Sequence, residues 1–521
     1  MNAIPNRRKG FGALSRRDFL RRGAMAGLGL ASAGSMFSAR GLSGFSQNRP
    51  LTFVLSGDAA TMDPHLAFDV TTTHVQIQML EALVTRAQDG TLAPLLAADW
   101  VFENTRNVVF TLREGVVFHN GEPFDAETVK ANFDRLLFDP EITPGLRPLF
   151  GPIVNVEVLD RLRVRFTMDE PFPLLIARLT NVGMLPQAHL AQSDNDAISS
   201  AAVGTGPYEF VAWQRDNQLT MKRNANYWGQ QPEIEDVVFR VVPDPSTQLL
   251  ELLSQNVDVI LLTSVLNAPT IASSDVATVR NFPNNITIDP FFNPSGPDSP
   301  LQNVAVRQAL NLAVNVPELV EALVGPFGSP LATVITPLAF GFNPSVSPFG
   351  FDPQGAVQLL KGAGYPDGFS TSMVTFPPGQ DGAEIIGGYL QDVGVQVDLR
   401  IAGFGEFFQQ VNTRSISEEI FLTAWSVPAL DAQSTFEILV KTGGVASYYT
   451  NEEADVLIDV ASKTFDPGVR QAALFRVQEI IKDEPIAIYS HTQDDLAGVS
   501  SRLVVDRRPD GKYHIKDWLL Q

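Results

Sequence analysis

Apolar residues recur at two different spacings along this chain, and the spacings predict strands and helices. Val108, Phe110 and Leu112 occupy every second position, which is typical of a half-buried strand. After Asp125, which is suited to cap a helix, apolar residues instead recur three or four positions apart. That stripe comprises Val129, Phe133, Leu136 and Leu137. The two patterns alternate throughout the chain, which predicts an α/β fold.

The same reading predicts elements in the rest of the chain. Strands are predicted at residues 51–55, 116–118, 208–213 and 486–489, and helices at 75–83, 303–314 and from Asp466 to before Pro485. Asn315, with Glu318 three residues later, is predicted to cap a further helix. The proline-rich stretch 291–301 is the best candidate for a crossing between domains, or for a loop that borders one.

The N-terminal segment has the layout of an export signal. Residues 15–22 read Ser-Arg-Arg-Asp-Phe-Leu-Arg-Arg, and an uncharged Ala/Gly-rich run extends from Gly23 to Phe37. This is the arrangement of a twin-arginine signal peptide, so we expect export of the folded protein by the twin-arginine translocase. The run is shorter than the roughly 20 apolar residues that span a bilayer. We assign residues 1–46 to the signal, with cleavage open between the small-residue sites at 31–33 and 39–41.

The charge and the cysteine content of the chain limit which binding partners and which cellular location we expect. Residues 1–46 hold eight of the 38 basic side chains and one of the 58 acidic ones, which leaves a formal net charge of −27 on the remainder. Such a surface repels phosphate backbones, so nucleic acid is not an expected partner. The chain has no cysteine, so we expect neither disulfides nor a lipid-anchoring thioether. A soluble, periplasmic, monomeric protein is the prediction.

The sequence contains no recognisable catalytic signature. There is no G-x-S-x-G elbow and no G-x-x-x-x-G-K-[ST] loop, and the six histidines form no metal-binding spacing. We therefore expect a protein that is not an enzyme and that holds no metal or cofactor. A periplasmic hydrolase whose site is dispersed in sequence stays open as an alternative, as does a transporter-independent binding or sensory protein.

Six segments, in order, resemble one protein family. They are Thr61–His65, the block from Leu95 to Leu137 with its Val-Val-Phe-His-Asn-Gly-Glu-Pro-Phe core, Gly204–Tyr208 with Arg223–Trp228 after it, Asn303–Leu310, Gly364–Phe369 and Leu390–Val395. Together they are similar to the motifs of the family 5 extracellular solute-binding proteins, the peptide- and nickel-type receptors of ABC importers. Most of these positions suit turns and strands, and Arg307 is expected to be a buried ion-pair partner.

The resemblance implies the type II fold of periplasmic binding proteins, with two lobes around a ligand cleft and an extra domain. Lobe I would comprise residues 47–82, 204–289 and 488–521, the inserted domain 83–203, and lobe II 290–487. The lobes would close on a small solute, a peptide or a peptide-like organic ligand, and deliver it to an inner-membrane ABC permease.

The resemblance also points to a ligand loop. Peptide-binding members carry W-x-x-D-Y-x-D-P, whose first aspartate pairs with the peptide ammonium; here the stretch begins at Trp425 and has Pro428 at that position. Asp431 matches the second aspartate, which braces the loop. No Lys or Arg lies between Lys361 and Arg400, where dipeptide receptors place a carboxylate-binding arginine.

Loss of both charged anchors predicts poor binding of short peptides by their termini, because a buried charged end without a partner costs several kcal/mol. A larger, partly apolar ligand, a sugar face or a long peptide held by its backbone fits better. The candidate ligand-binding residues are apolar or neutral apart from Asp431: Phe68, Asn181, Val182, Phe376, Trp425, Ser426 and Asp431.

Overall fold

The computed structural model describes residues 49–66, 69–142, 147–262, 264–427 and 429–521. Residues 50–521 form one compact unit. The twin-arginine segment and both cleavage positions lie outside the described residues. In the part of the chain that is described, no helix is long and apolar enough to cross a bilayer.

The described strands are numbered in chain order. They are β1 Leu51–Leu55, β2 Val84–Arg86, β3 Leu92–Pro94, β4 Ala97–Asn104, β5 Asn107–Leu112, β6 Ile153–Asp160, β7 Arg163–Met168, β8 Tyr208–Gln214, β9 Gln218–Arg223, β10 Asp236–Val241, β11 Val259–Leu262, β12 Ala277–Phe282, β13 Ile286–Phe292, β14 Gly328–Pro330, β15 Phe369–Thr375, β16 Val395–Ile401, β17 Ile420–Ser426, β18 His491–Gln493, β19 Asp495–Ser500, β20 Leu503–Val504 and β21 Leu519–Leu520.

Helices lie between and around these strands. They span Val70–Gln76, Ala126–Phe138, Leu175–Arg178, Gln187–Gln192, Asn195–Ser200, Pro245–Leu253, Ala268–Ala272, Val304–Ala313, Val316–Leu323, Pro353–Gly362, Gln380–Asp392, Phe404–Asn412, Ala432–Leu439, Glu452–Lys463 and Pro467–Asp483. Short 3₁₀ turns occupy Arg147–Phe150, Leu179–Asn181, Val265–Asn267, Pro300–Gln302, Gly325–Phe327, Pro377–Gly379 and Ile515–Asp517.

A seven-stranded sheet collects strands from both ends and the middle of the chain. Its order is β12-β19-β11-β1-β10-β9-β8, with β1 parallel to β10 and β11 and the other pairs antiparallel. Phe53 of β1 is fully buried and packs against Phe239 and Trp518. The C-terminal segment is thereby fixed to the first strand.

A second sheet has six strands in the order β14-β18-β13-β17-β15-β16. Strands β15, β16 and β17 run parallel to one another, whereas β13 is antiparallel to β17. The carboxyl ends of three strands therefore meet at one edge of this sheet, the edge at which α/β proteins most often bind ligands.

A four-stranded antiparallel sheet, β4-β5-β7-β6, packs on helix Ala126–Phe138. As predicted, Asp125 caps this helix by accepting a hydrogen bond from the backbone N–H of Thr128 (3.0 Å). Phe133 is buried against Phe166 of β7, with ring centroids 4.7 Å apart. The alternating stripe of β5 and the helical stripe thus form one core.

The chain crosses between the seven- and six-stranded sheets at two places. Residues 283–285 join β12 to β13, and Asp494 joins β18 to β19. Asn284 donates to the carboxylate of Asp495 (2.8 Å), so the two crossings are tied together. The first crossing precedes the predicted stretch 291–301, whose first residues, Phe291 and Phe292, still belong to β13. Residues 286–289 of β13 and 491–493 of β18 belong to the six-stranded sheet but lie outside the range predicted for lobe II, 290–487.

Several predicted elements are confirmed and three are not. The strands at 51–55, 107–112 and 208–214 and the helices at 304–313 and 467–483 are present. The helix predicted at 75–83 instead spans Val70–Gln76, because Asp69 caps it by accepting from the N–H of Thr72. Residues 116–118 and 486–489 form only single bridges, Val117 with Pro123 and Phe291 with Ala487.

Residues of the family motifs form part of the structural core. Gly204 is required because a Cβ there would lie 2.0 Å from the carbonyl oxygen of Met79. Thr205, Tyr227 and Trp228 all donate to the buried carboxylate of Glu81, at 2.9, 2.7 and 2.8 Å. Burial raises the pKa of Glu81.

Arg307 is buried, as predicted, but it donates to the carbonyl oxygens of Pro485 (2.7 Å) and Leu301 (2.8 Å). It forms no ion pair with any described residue, so the prediction of an ion-pair partner is wrong. A guanidinium presents several donors in a fixed fork, and here they satisfy main-chain carbonyls at the start of helix Val304–Ala313 and after Pro467–Asp483.

Candidate ligand-binding cleft

The end of β17 carries two of the candidate residues. Trp425 is half-buried and packs on the hydrophobic cluster of the six-stranded sheet, whereas Ser426 is exposed. Trp425 lies opposite Thr287, and Ser426 lies opposite Ile286, the first residue after a crossing. The indole N–H of Trp425 is buried and has no hydrogen-bond partner among the described residues. A buried indole N–H normally has a partner, so this unpaired donor is a candidate for a ligand contact.

Phe376 lies at the same edge, directly after β15. Its ring contacts those of Phe404, Phe407 and Phe408, with centroids 5.2–5.8 Å apart. Phe404 begins a helix after β16 and is 65% exposed. Phe376 itself is buried, so Phe404 and not Phe376 presents most of the aromatic surface here. Sequence reasoning missed Phe404, because an exposed aromatic cannot be told from a buried one by spacing.

The loop after β17 is held by the first crossing and contains a strained residue. Val427 exchanges hydrogen bonds with Asn285: its N–H donates to the backbone carbonyl (3.2 Å), and its carbonyl accepts from the side-chain amide (3.0 Å). Leu430 has a φ of 49°, in the left-handed region that non-glycine residues rarely adopt. Such strain is typical of functional loops. Pro428 lies outside the described residues, and so does Phe68.

Both carboxylate oxygens of Asp431 are bonded to residues that follow it in the chain. One carboxylate oxygen accepts from the N–H of Gln433 (3.0 Å) and caps helix Ala432–Leu439; the other pairs with Arg470 (2.9 Å). The side chain is buried, and this desolvation raises the pKa of Asp431 against the opposing effect of Arg470. These contacts match the loop-bracing role implied by the resemblance.

The segment Leu175–Val182 faces this loop. Ala429 belongs to the same hydrophobic cluster as Leu175, Leu179 and Val182. Arg86, at the end of β2, donates to the carbonyl oxygen of Ala429 and also to that of Gly90 (2.7 Å). The structure thus places Val182, which is fully buried, in the same hydrophobic cluster as Ala429 of the 429–431 loop, from positions more than 240 residues apart.

Asn181 has a different environment. Its side-chain oxygen accepts from the ammonium of Lys512 (2.8 Å), which also donates to the carbonyl of Thr180. It lines a cavity of about 210 Å³ together with Glu81, Arg508, Lys512 and His514. The residues lining that cavity come from the N-terminal half and the C-terminal segment, and include none of the six-stranded sheet.

Charged residues also occupy the space between the segments, which the sequence interpretation did not anticipate. Arg86 and Arg178 come from the N-terminal half, and Glu437 follows Asp431 on helix Ala432–Leu439. Burial lowers the pKa of both arginines, and the nearby carboxylate of Asp431 opposes that shift in each. No local pattern marks these arginines, since each stands alone among apolar or neutral neighbours in sequence.

In the described part of the chain, no group of three or more His, Asp or Glu side chains is arranged to hold a metal ion. What the cleft offers is an unpaired indole N–H, aromatic surface, a strained loop and a few charges. This arrangement suits reversible binding of an organic molecule.

A family model matches most of the chain. The model of the bacterial extracellular solute-binding proteins, family 5, matches residues 91–447. The chain belongs to this family. It is therefore a substrate-binding component of an ABC importer, which binds a peptide or small ligand outside the cytoplasm and delivers it to a membrane permease.

Curated and solved relatives agree with the family. The glutathione-binding protein GsiB of Salmonella typhimurium is 28% identical over 487 residues, which cover 88% of this chain and 91% of that protein. The substrate-binding protein CtaP of Listeria monocytogenes has a TM-score of 0.82 at 20% identity, covering 91% of this chain and 99% of the other. DppA of Helicobacter pylori, in complex with the peptide STSA, has a TM-score of 0.75 at 22% identity, with 91% and 98% covered. The α/β, type II binding-protein fold predicted from the motifs is confirmed.

Proposed function

We propose that this receptor captures a peptide-like organic ligand between the edge formed by Phe376, Trp425 and Ser426 and the segment that ends at Val182. The observation that carries this proposal is the placement of the 429–431 loop against Leu175–Val182, fixed by Arg86. The names of the relatives, which include a glutathione-binding protein and a peptide complex, support the ligand class.

The predicted lobe boundaries and ligand contacts belong to this proposal. Lobe I and the inserted domain would supply Phe68, Asn181 and Val182, and lobe II would supply Phe376, Trp425, Ser426 and Asp431. Of these, Trp425 has the best structural support, because its buried N–H has no described partner. Asp431 would act through the loop, since both its carboxylate oxygens are already bonded.

We further propose that the protein performs no catalysis and acts as a periplasmic monomer without a lipid anchor, after export by the twin-arginine translocase. The twin arginines at 16–17, the lack of cysteine and the acidic composition support this.

Thermal unfolding with peptide ligands, followed by mass analysis of the ligand, tests the proposal. Ligands that bind only the folded state raise the melting temperature according to their concentration relative to Kd. We expect tri- and tetrapeptides to raise it and to be recovered unchanged after prolonged incubation. Hydrolysis of the peptides would contradict the receptor function, and the absence of any shift would contradict the ligand class.

A further inference from the structure

Arg178 stands out among the described arginines because it is partly buried and yet its guanidinium has no hydrogen bond or ion pair with any described residue, whereas the other unpaired arginines, such as Arg106, Arg280 and Arg414, are exposed. Its Nε is buried and unpaired, although the side chain as a whole is partly exposed. Arg178 ends helix Leu175–Arg178, whose other residues are buried in the cluster that includes Ala429. The backbone of Arg178 is therefore fixed, while its charged end is left without a partner.

The acidic groups near Arg178 have other partners. Burial lowers the pKa of Arg178, and the charges of Glu437 and Asp431 oppose this effect, so both carboxylates lie within its electrostatic reach. Asp431 is paired with Arg470 (2.9 Å). Glu437 accepts from the side-chain amide of Gln433 (3.1 Å), which in turn accepts from Arg470. Neither carboxylate forms an ion pair with Arg178.

Arg178 lies beside the 429–431 loop that follows β17, because the rest of its helix packs in the same hydrophobic cluster as Ala429. It precedes Asn181 and Val182 by three and four residues, and it faces the helix that follows the ligand loop. A half-buried, unpaired guanidinium is costly to maintain in a folded protein. A planar carboxylate would satisfy it, because the guanidinium fork matches that group with two parallel hydrogen bonds.

We propose that Arg178 binds a carboxylate of the ligand, so that the transported solute is an organic acid held at its anionic end from the N-terminal half of the cleft. This inference rests on the proposed function, since it assumes that the ligand lies between Val182 and Trp425. It revises the expectation, drawn from sequence, that short peptides held by their termini bind poorly, because Arg178 would supply an anchor for the carboxylate.

Matched peptide pairs test this role directly. The probes are tri- and tetrapeptides of Ala and Phe, each as the free acid and as the C-terminal amide, with Kd measured by calorimetry on the full chain. We expect the acids to bind at least tenfold more tightly than the amides. Arg178→Gln is expected to remove that preference by weakening the acids and leaving the amides unchanged. The melting temperature of the ligand-free variant should not fall, because no described partner is lost.

Two further variants separate ligand binding from a structural role. Arg165→Gln removes a surface arginine paired with Glu103 and Glu157 and should leave the preference for acids intact. Glu437→Gln should also retain this preference. If Arg178→Gln and Glu437→Gln instead lose affinity equally, for acids and amides alike, the two residues hold the segments together and do not bind the ligand, and the proposal is overturned. Equal binding of acids and amides by the wild type would overturn it while leaving the proposed function standing. If no peptide binds in either form, both proposals fail.

Discussion

At the scale of single residues, Pro428 is the substitution with the clearest consequence for ligand choice. In the motif that this loop resembles, the same position carries the aspartate that pairs with a peptide ammonium. Proline has neither a charge nor an N–H. We therefore expect a free dipeptide to find no partner for its N-terminus at this position.

We predict that Ala-Ala binds weakly to the wild type and that Pro428→Asp gains affinity for it at least tenfold. The physical reason is a new charge-assisted contact with the ammonium group, which is worth about 1.5–3 kcal/mol. Calorimetry with Ala-Ala measures the gain, and Pro428→Asn is the matched control because it adds polarity without charge. Micromolar binding of Ala-Ala by the wild type would contradict the interpretation of Pro428.

Asp289 gives a second residue-scale prediction, on pH. It is fully buried in β13, one oxygen accepts from the N–H of Ser490 (2.8 Å), and the other has no partner among the described residues. Burial raises the pKa of Asp289 to about 7 from an ordinary value of 3.8. Between these values the folded protein retains a proton that the unfolded chain has released. The free energy of unfolding contributed by this group therefore falls as pH rises through that window, and levels off above it.

We predict that Asp289→Asn gains melting temperature relative to the wild type as pH is raised from about 4.5 to 7.5. The amide stays neutral and its oxygen can still accept from Ser490. The buried His65, His74 and His491, whose pKa values burial lowers to about 4, are common to both proteins and cancel in the difference. Scanning calorimetry at a series of pH values measures it. A difference that is independent of pH would contradict the assignment.

At the scale of elements, the local sequence pattern was enough to predict a strand or helix wherever that element has a regular buried face. β5 and helix Ala126–Phe138 show this, because alternation and a cap residue determine both their faces and their ends. The two predicted strands that do not form, at 116–118 and 486–489, have a shared physical cause. Residues 486–489 run beside β13, and 116–118 beside 122–124, but the facing residues include Pro290 and Pro123, which lack the N–H that a ladder requires.

Strand β2 supplies a contact that holds the 427–431 loop, which leads to a prediction about Arg86. Its guanidinium donates to the carbonyl oxygens of Ala429 and Gly90. Arg86→Gln would leave the Ala429 carbonyl without its partner in a buried position. We predict weaker peptide binding, by severalfold or more, and faster proteolysis within the 427–431 loop.

Arg113→Gln is the matched control for Arg86. Arg113 also donates to a carbonyl, that of Leu95 (2.9 Å), and its guanidinium stacks on Trp228, 4.6 Å from the ring centroid. Neither contact reaches the ligand loop. Loss of peptide affinity in Arg113→Gln equal to that in Arg86→Gln would show that general destabilisation, and not the loop contact, is responsible.

At the scale of the whole molecule, the fold was predictable from six ordered motifs, whereas the polar contacts at the cleft were not. Arg86 and Ala429 are 343 residues apart in sequence. The helix that carries Arg178 packs with the four-stranded sheet, whereas the helix that carries Glu437 packs with the six-stranded sheet. Such contacts form only when distant segments come together in the folded protein, and no residue spacing in a single sequence indicates which segments those are. The motif residues themselves are largely structural, as Glu81 and its three donors show, so they identify the family and leave ligand choice to the loop and its surroundings.

The central claim is that this protein binds an organic ligand between these segments and releases it unchanged. Native mass spectrometry of protein purified from its own host tests this most directly. The account predicts a one-to-one complex with a small organic molecule, which is released intact on unfolding and lost in Trp425→Ala but not in Trp100→Ala, a tryptophan of the four-stranded sheet. A ligand recovered as reaction products, or one retained fully by Trp425→Ala, would contradict it.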